Sequence, residues 1–170
     1  MRAVLAALVL SVCVAPALAA TGSAPAFTLS LLDGSGAFDS RTVIGKKVLI
    51  VRFQASWCKV CAQEAAMMER VYEQYRKSGV ELIAVHIQDT EADARRFLKA
   101  HEATYPAGLD PRLKTANRFG FKSAPYTVVI NKRGEIVTRL RGHTEETKLK
   151  GVLDPLVTPV PSRKPPARLQ

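Results

Sequence analysis

Residues 57–61 read Trp57-Cys58-Lys59-Val60-Cys61, and they lie where a predicted strand passes into a predicted helix. Residues 48–53 are rich in β-branched and aromatic side chains, which is typical of a buried strand. Residues 62–77 contain good helix formers and neither Gly nor Pro. In its thiol form, the first cysteine would face the unpaired N–H groups and positive dipole end of that helix, which favours thiolate. Because two cysteines three positions apart can also close a small disulfide ring, the pattern predicts dithiol–disulfide exchange.

The first 19 residues have the pattern of a secretory signal. Arg2 is the charged start, residues 4–14 form a short apolar core, and Ala17-Leu18-Ala19 is a small-x-small cleavage site. The apolar run is too short for a stable transmembrane span, although an uncleaved anchor and a lipidated Cys13 are alternatives. Cleavage would remove Cys13 and leave an exported chain whose two cysteines both belong to the motif.

Length and composition indicate one globular domain. Removal of 19 residues from 170 would leave 151, enough for a substantial core, and hydrophobic residues make up 47% of the chain. The formal charge of +10 favours acidic partners or anionic membrane surfaces, or it is simply a solvated basic surface. No nucleic-acid module is recognisable and aromatic residues are only 6%, so we expect no nucleic-acid binding.

The hydrophobic pattern predicts an α/β fold. Strands are predicted at 27–31, 48–53, 80–87, 126–130 and 135–140, with turns at 33–36 and 131–134. Helices are predicted at 62–77, 90–100, 112–118 and 145–153 or slightly longer, the last with Thr144 as its N-cap. The Pro-rich basic segment 158–170 is predicted to be a disordered tail. This order gives a central mixed β-sheet with helices on both faces.

These motifs resemble the thioredoxin fold and, more narrowly, the TlpA/ResA-type periplasmic thiol-disulfide oxidoreductases. Two runs carry most of the resemblance: residues 51–64, Val-Arg-Phe-Gln-Ala-Ser-Trp-Cys-Lys-Val-Cys-Ala-Gln-Glu, and residues 123–134, Ser-Ala-Pro-Tyr-Thr-Val-Val-Ile-Asn-Lys-Arg-Gly. Shorter matches at 27–29, 33–34 and 45–46 correspond to the N-terminal β extension of that branch. The resemblance covers residues 24–157 and implies one thioredoxin-like domain there.

The resemblance also implies roles for five residues. Cys58 would be the exposed attacking thiolate and Cys61 the more buried resolving thiol, with a mixed disulfide on Cys58 between the two steps. Trp57 would shield the pair and offer a docking surface, or it is a plain packing residue. Pro125 matches the family's cis-proline opposite the cysteines. Glu64 would relay protons to Cys61, or it is an ordinary helix-surface residue.

The implied partners are proteins. The family resemblance suggests a periplasmic reductant of apocytochrome c or copper-site cysteines, supplied by a membrane thiol-disulfide electron donor. Exchange of this kind uses the cysteines alone, so we expect no cofactor, and we expect a monomer.

Two positions depart from the family pattern. Lys59-Val60 stands inside the CxxC where the family usually has a Pro, which leaves the reduction potential open. Arg52 occupies the position of a buried Asp in cytoplasmic thioredoxins. A buried Arg needs a partner, and Glu64 is the candidate; otherwise Arg52 snorkels towards an edge.

Two other chemistries, metal capture and peroxide reduction, are alternatives to disulfide exchange. Copper or zinc capture by Cys58, Cys61 and a histidine would make the chain a copper-binding, metallochaperone-like module. His86, near a strand end, is the best placed histidine, whereas His101 and His143 are predicted on the surface. Peroxidase chemistry is not expected, because residues 55–57, Ala-Ser-Trp, replace the threonine-containing motif of peroxiredoxins.

Overall fold

The computed structural model describes residues 22–157, so the predicted signal at 1–19 and the predicted tail at 158–170 lie outside the described residues. The described strands are β1 (Thr28–Ser30), β2 (Ala37–Asp39), β3 (Val48–Gln54), β4 (Val80–Ile87), β5 (Ala107–Asp110), β6 (Tyr126–Ile130) and β7 (Ile136–Arg141). The described helices are α1 (Ser40–Val43), α2 (Lys59–Tyr75), α3 (Glu91–Ala100), α4 (Lys114–Arg118) and α5 (Glu146–Val157). None of these helices is long and apolar enough to span a membrane.

The predicted central sheet is confirmed as a mixed sheet of five strands in the order β5-β4-β3-β6-β7. Strand β3 runs parallel to β4 and antiparallel to β6, and β4 is parallel to β5. All seven residues of β3 are buried. A strand covered on both faces has no solvent side, which explains why its sequence is a nearly continuous apolar run.

Alternate residues of β3 enter two different cores. Leu49, Val51 and Phe53 belong to one buried cluster, which also contains the two active cysteines. Val48 and Ile50 belong to the cluster on the opposite face, together with most of the buried side of α2. Arg52 and Gln54 therefore point towards the α2 face, where a polar side chain must find a partner.

Helix α2 begins three residues earlier than predicted, at Lys59, because Cys58 is its N-cap. The Sγ of Cys58 accepts a hydrogen bond from the backbone N–H of Cys61 at 3.1 Å. A sulfur atom thereby occupies the position that Ser or Asp oxygens usually take at helix starts. The central strand thus delivers the CxxC pair directly to a helix N-terminus.

The N-terminal extension is confirmed as the antiparallel hairpin of β1 and β2, although β2 was not predicted. Strand β5 was missed as well, because its sequence Ala-Gly-Leu-Asp contains two poor strand formers. Gly108 of β5 lies against the backbone of β1: a Cβ added to it would lie 2.8 Å from the Ser30 backbone oxygen. The hairpin can therefore approach the sheet edge only because this position lacks a side chain.

The prediction of Thr144 as the N-cap of the last helix is wrong, because α5 begins two residues later at Glu146. The backbone N–H of Thr144 instead donates to Glu64 Oε1 at 2.6 Å. A buried carboxylate needs several donors, and this one takes the N–H of Thr144. The helix runs through Pro155 to Val157, in agreement with the prediction of an end at 153 or slightly later. The other predicted elements are confirmed with small shifts of their ends.

Candidate active site

The two cysteines form a disulfide at the start of α2, with their Cα atoms 5.2 Å apart. Cys58 is 6% exposed and Cys61 only 1% exposed, so Cys58 is the outer member of the pair but both residues are buried in the disulfide form. The prediction of an exposed Cys58 is therefore wrong, because its sulfur is bonded to Cys61 and lies against the Cys61 N–H. In the reduced state, the N–H of Cys61 and the positive end of the α2 dipole would both stabilise a thiolate on Cys58. The geometry suits attack by Cys58 on a partner sulfur and resolution by Cys61.

Trp57 precedes the pair and is 59% exposed, although tryptophan is normally well buried. The alternative of a plain packing residue in the core is therefore wrong. A broad apolar surface lies next to Cys58, where a protein partner would have to approach.

The Ala124–Pro125 peptide bond is cis, as the resemblance implied. Tyr126, the next residue, pairs in register with Phe53 near the end of β3. Pro125 is therefore brought to the same sheet edge as the segment that leads into the CxxC pair. Its carbonyl oxygen accepts a hydrogen bond from the N–H of Gly142 at 2.9 Å.

Arg52 and Glu64 form a buried ion pair beneath α2, as the candidate pairing predicted. Arg52 Nη2 donates to Glu64 Oε2 at 2.6 Å, and Arg52 Nη1 donates to Thr127 Oγ1 at 2.9 Å. The two charged side chains are 1% and 3% exposed. The alternatives of a snorkelling Arg52 and a surface Glu64 are both wrong. Burial lowers the pKa of Arg52, and the Glu64 carboxylate opposes that shift.

The second carboxylate oxygen of Glu64 faces the segment before α5. It accepts the Thr144 N–H and lies 2.7 Å from His143 Nδ1. The side chain of His143 is 67% exposed, so it is a surface residue as predicted, but its contact with Glu64 was not predicted. Glu64 therefore connects the buried guanidinium of Arg52 to a titratable group in contact with solvent.

A second polar network lies at the carboxyl ends of β3 and β4. The Nε2 atoms of Gln54 and His86 are 2.9 Å apart, and His86 Nδ1 is 2.8 Å from Asp89 Oδ2. Asp89 also accepts the backbone N–H and the hydroxyl of Ser56, at 2.8 and 2.7 Å. Burial lowers the pKa of His86, and Asp89 opposes this shift.

Sequence reasoning identified His86 as a strand-end residue but missed Asp89 and Ser56. The available signal was a carboxylate three residues after a histidine at the end of a buried strand. Since both ring nitrogens of His86 already have partners, this side chain is not free to bind metal. In residues 22–157, no three or more His, Cys, Asp or Glu side chains are arranged to hold a metal ion.

Residues 21–139 match the AhpC/TSA family. The chain belongs to the AhpC/TSA family. Its relatives include the thiol-disulfide oxidoreductase ResA of Halalkalibacterium halodurans, which is 33% identical over 121 residues, covering 71% of this chain and 68% of the relative. ResA of Bacillus cereus is 29% identical over 130 residues, covering 76% of this chain and 74% of the relative.

Solved structures of thiol-disulfide exchange proteins share this fold. A DsbE-like thiol:disulfide interchange protein from Chlorobium tepidum superposes with a TM-score of 0.75 at 25% identity, covering 84% of this chain and all (100%) of the other. A secreted thiol-disulfide isomerase from Corynebacterium glutamicum shares the fold, with a TM-score of 0.72 at 20% identity. The match covers 78% of this chain and 84% of the isomerase. The CxxC disulfide at a helix start and the similarity to ResA sequences together show that this AhpC/TSA family member is a thiol-disulfide oxidoreductase.

Proposed function

We propose that this protein is exported to the periplasm and reduces disulfides in specific partner proteins. The observation that carries the proposal is the asymmetry of the cysteine pair. Cys58 is the outer cysteine and its Sγ accepts the Cys61 N–H at 3.1 Å, whereas Cys61 is fully enclosed. An outer sulfur paired with a shielded second thiol suits two-step exchange, and the reductant direction rests on the resemblance to ResA-type proteins.

The proposed reaction moves two electrons to the partner. The Cys58 thiolate attacks one sulfur of the partner's disulfide, and the other partner sulfur leaves as a thiolate that takes up a proton. Cys61 then loses its proton and attacks the Cys58 sulfur. The partner's second sulfur leaves, and the Cys58–Cys61 disulfide forms.

The residues around the cysteine pair also take part in the proposed reaction. Glu64 takes up the Cys61 proton as the second step begins, and His143 offers that proton a route to solvent. Trp57 and the segment at Pro125 dock the partner chain beside Cys58. The exposure of Trp57, and the position of Tyr126 next to Pro125 and opposite Phe53, support this docking role.

The proposed partners follow from the family resemblance. They are apocytochrome c or copper-site cysteines as substrates and a membrane thiol-disulfide protein as electron donor. We further propose that residues 1–19 are a cleaved signal and that residues 24–157 form a monomeric thioredoxin-like domain. The exchange itself uses no cofactor.

A redox titration against glutathione buffers tests the direction of electron flow. A reduction potential well below the glutathione range would support a reductant, whereas a value near about −120 mV is typical of strong periplasmic oxidants and would overturn the proposal. Copper titration of the reduced protein tests the alternative function, a copper-binding module. Stoichiometric copper binding without disulfide exchange would favour the copper-binding module instead.

A further inference from the structure

We propose that Asp89 and His86 are positioning residues for disulfide exchange: they hold the turn at Ser56 so that the Cys58 sulfur stays at the start of α2. This proposal concerns the exchange reaction itself and holds for either direction of electron flow. Neither side chain need touch the reacting sulfurs, since both act through Ser56.

Asp89 is the centre of the arrangement. Its Oδ2 accepts the backbone N–H of Ser56 at 2.8 Å, and its Oδ1 accepts the Ser56 hydroxyl at 2.7 Å. A carboxylate that binds both the main chain and the side chain of one residue fixes that residue's position and its orientation. Asp89 is only 7% exposed, so water competes little for these hydrogen bonds.

His86 holds Asp89 in place. An amide nitrogen can only donate, so with Gln54 Nε2 at 2.9 Å the Nε2 atom of His86 is the acceptor. The ring proton is then on Nδ1, which donates to Asp89 Oδ2 at 2.8 Å. Gln54 and His86 are also direct register partners on the parallel strands β3 and β4. The Asp89 carboxylate is therefore anchored to the paired ends of strands β3 and β4.

The turn that Asp89 holds is the one that delivers Cys58. The N–H of Cys58 donates to the Ala55 carbonyl oxygen at 3.2 Å, which closes a four-residue turn with Ser56 and Trp57 at its centre. Tethering Ser56 therefore limits the movement of Trp57 and of the Cys58 sulfur together. Because the thiolate gains from the helix N-terminus only while the sulfur stays near the Cys61 N–H, loss of the tether would weaken this stabilisation.

The arrangement differs from ordinary turn capping elsewhere in the chain. Ser35 makes the same two hydrogen bonds to Asp33, at 2.9 and 2.7 Å, but those residues are two positions apart and exposed. Ser56 and Asp89 are 33 positions apart and belong to the segments after two different strands. Glu69 accepts the same two hydrogen bonds from Thr104 across 35 positions, but that contact is exposed. The Ser56–Asp89 contact is set apart by its partial burial and by its place at the turn that precedes the CxxC pair, which points to a role in the site.

The test compares Ser56→Ala and Asp89→Asn with wild type, and Ser35→Ala with Asp33→Asn as matched controls. Rates of exchange with oxidised glutathione and the pH profile of Cys58 alkylation are measured on the reduced protein. Trp57 is the only tryptophan in the sequence, so its time-resolved fluorescence anisotropy reports the motion of the turn directly. Ser56→Ala removes one hydrogen bond and keeps every charged group, so it remains informative if Asp89→Asn fails to fold.

We expect both active-site variants to slow exchange about fivefold or more, to move the alkylation midpoint to higher pH and to increase Trp57 motion, while the controls match wild type. Wild-type exchange rates and alkylation profiles in folded Ser56→Ala would overturn the proposal, even with reduced stability, because they would leave the network a purely structural role. Absence of exchange in wild type would instead reject the assigned activity, so the two failures are distinguishable.

Discussion

The guanidinium of Arg52 and the carboxylate of Glu64 form an ion pair at 2.6 Å that is almost completely removed from solvent. One group comes from the central strand and the other from the helix that begins at the cysteines. Burial of either charge alone would be costly, because the interior offers no water to replace the lost partner. The pair therefore joins β3 to α2 and also sets a charged environment below the active site.

The first prediction concerns stability. Glu64→Gln leaves the Arg52 charge buried without its counter-charge, so we expect a loss of about 3–5 kcal/mol in the free energy of unfolding. Chemical denaturation of the oxidised protein measures this loss. The matched control is Glu146→Gln, which breaks solvent-accessible ion pairs with Arg70 and Lys150, both at 2.7 Å, and should cost far less.

A double variant separates lost charge pairing from lost packing. Arg52→Met combined with Glu64→Leu removes both charges and should recover much of the stability lost in Glu64→Gln. Equal losses in Glu64→Gln and Glu146→Gln would contradict the idea that the buried pair is energetically special.

The second prediction concerns the thiols. A nearby negative charge disfavours thiolate and a positive charge favours it, so Glu64→Gln should lower the apparent pKa values of the cysteine pair and Arg52→Ala should raise them. These values belong to two coupled sulfurs and not to one residue. Thiolate absorbance followed against pH in wild type and both variants measures the shifts. Unchanged titrations would reduce Arg52 and Glu64 to structural residues.

The parts of the fold that could be predicted are those with a local signal. Residues 48–61 combine a buried-strand pattern with a helix start and two cysteines, and the hairpin of β6 and β7 has a Gly at its turn. Strand β5 could not be predicted, because its Ala-Gly-Leu-Asp sequence forms a strand only through pairing with β4. Its glycine is explained by contact with Ser30, a residue far away in the sequence.

The candidate site follows the same division. Cys58, Cys61 and Trp57 lie within five residues, and Arg52 could be paired with Glu64 because an arginine in a buried strand requires a partner. The contacts of Glu64 with Thr144 and of Ser56 with Asp89 join segments 80 and 33 positions apart. No local pattern encodes such contacts, since they depend on which strand ends the sheet brings together.

The third prediction uses the lowered pKa of His86. Its pKa in the folded protein is below the unfolded value of about 6.5, so the folded state binds fewer protons in the interval between the two. The stability contribution of neutral His86 is therefore complete above about pH 6.5 and is lost as the pH falls below it, by at most about 1.4 kcal/mol per pH unit.

Urea unfolding at a series of pH values between neutral and mildly acidic conditions checks this prediction. His86→Gln keeps a polar side chain at the position but cannot take up a proton, so its stability should fall less steeply on acidification than that of wild type. A variant that loses stability with the same slope as wild type would show that other groups cause the acid sensitivity.

The last prediction assigns the two sulfurs. Cys58→Ala should abolish disulfide exchange, because the reachable sulfur at the helix start is gone. Cys61→Ala should instead accumulate mixed disulfides on Cys58, since the enclosed thiol that normally releases the partner is missing. Mass spectrometry after mixing each reduced variant with a disulfide-containing protein measures the difference.

A background variant, Cys13→Ser, removes the third cysteine of the full sequence and keeps the labelling unambiguous. Brief alkylation of this reduced variant at neutral pH should modify Cys58 before Cys61, because Cys58 is more exposed and its thiolate is stabilised by the helix N-terminus. Faster labelling of Cys61 would reverse the roles of the two cysteines.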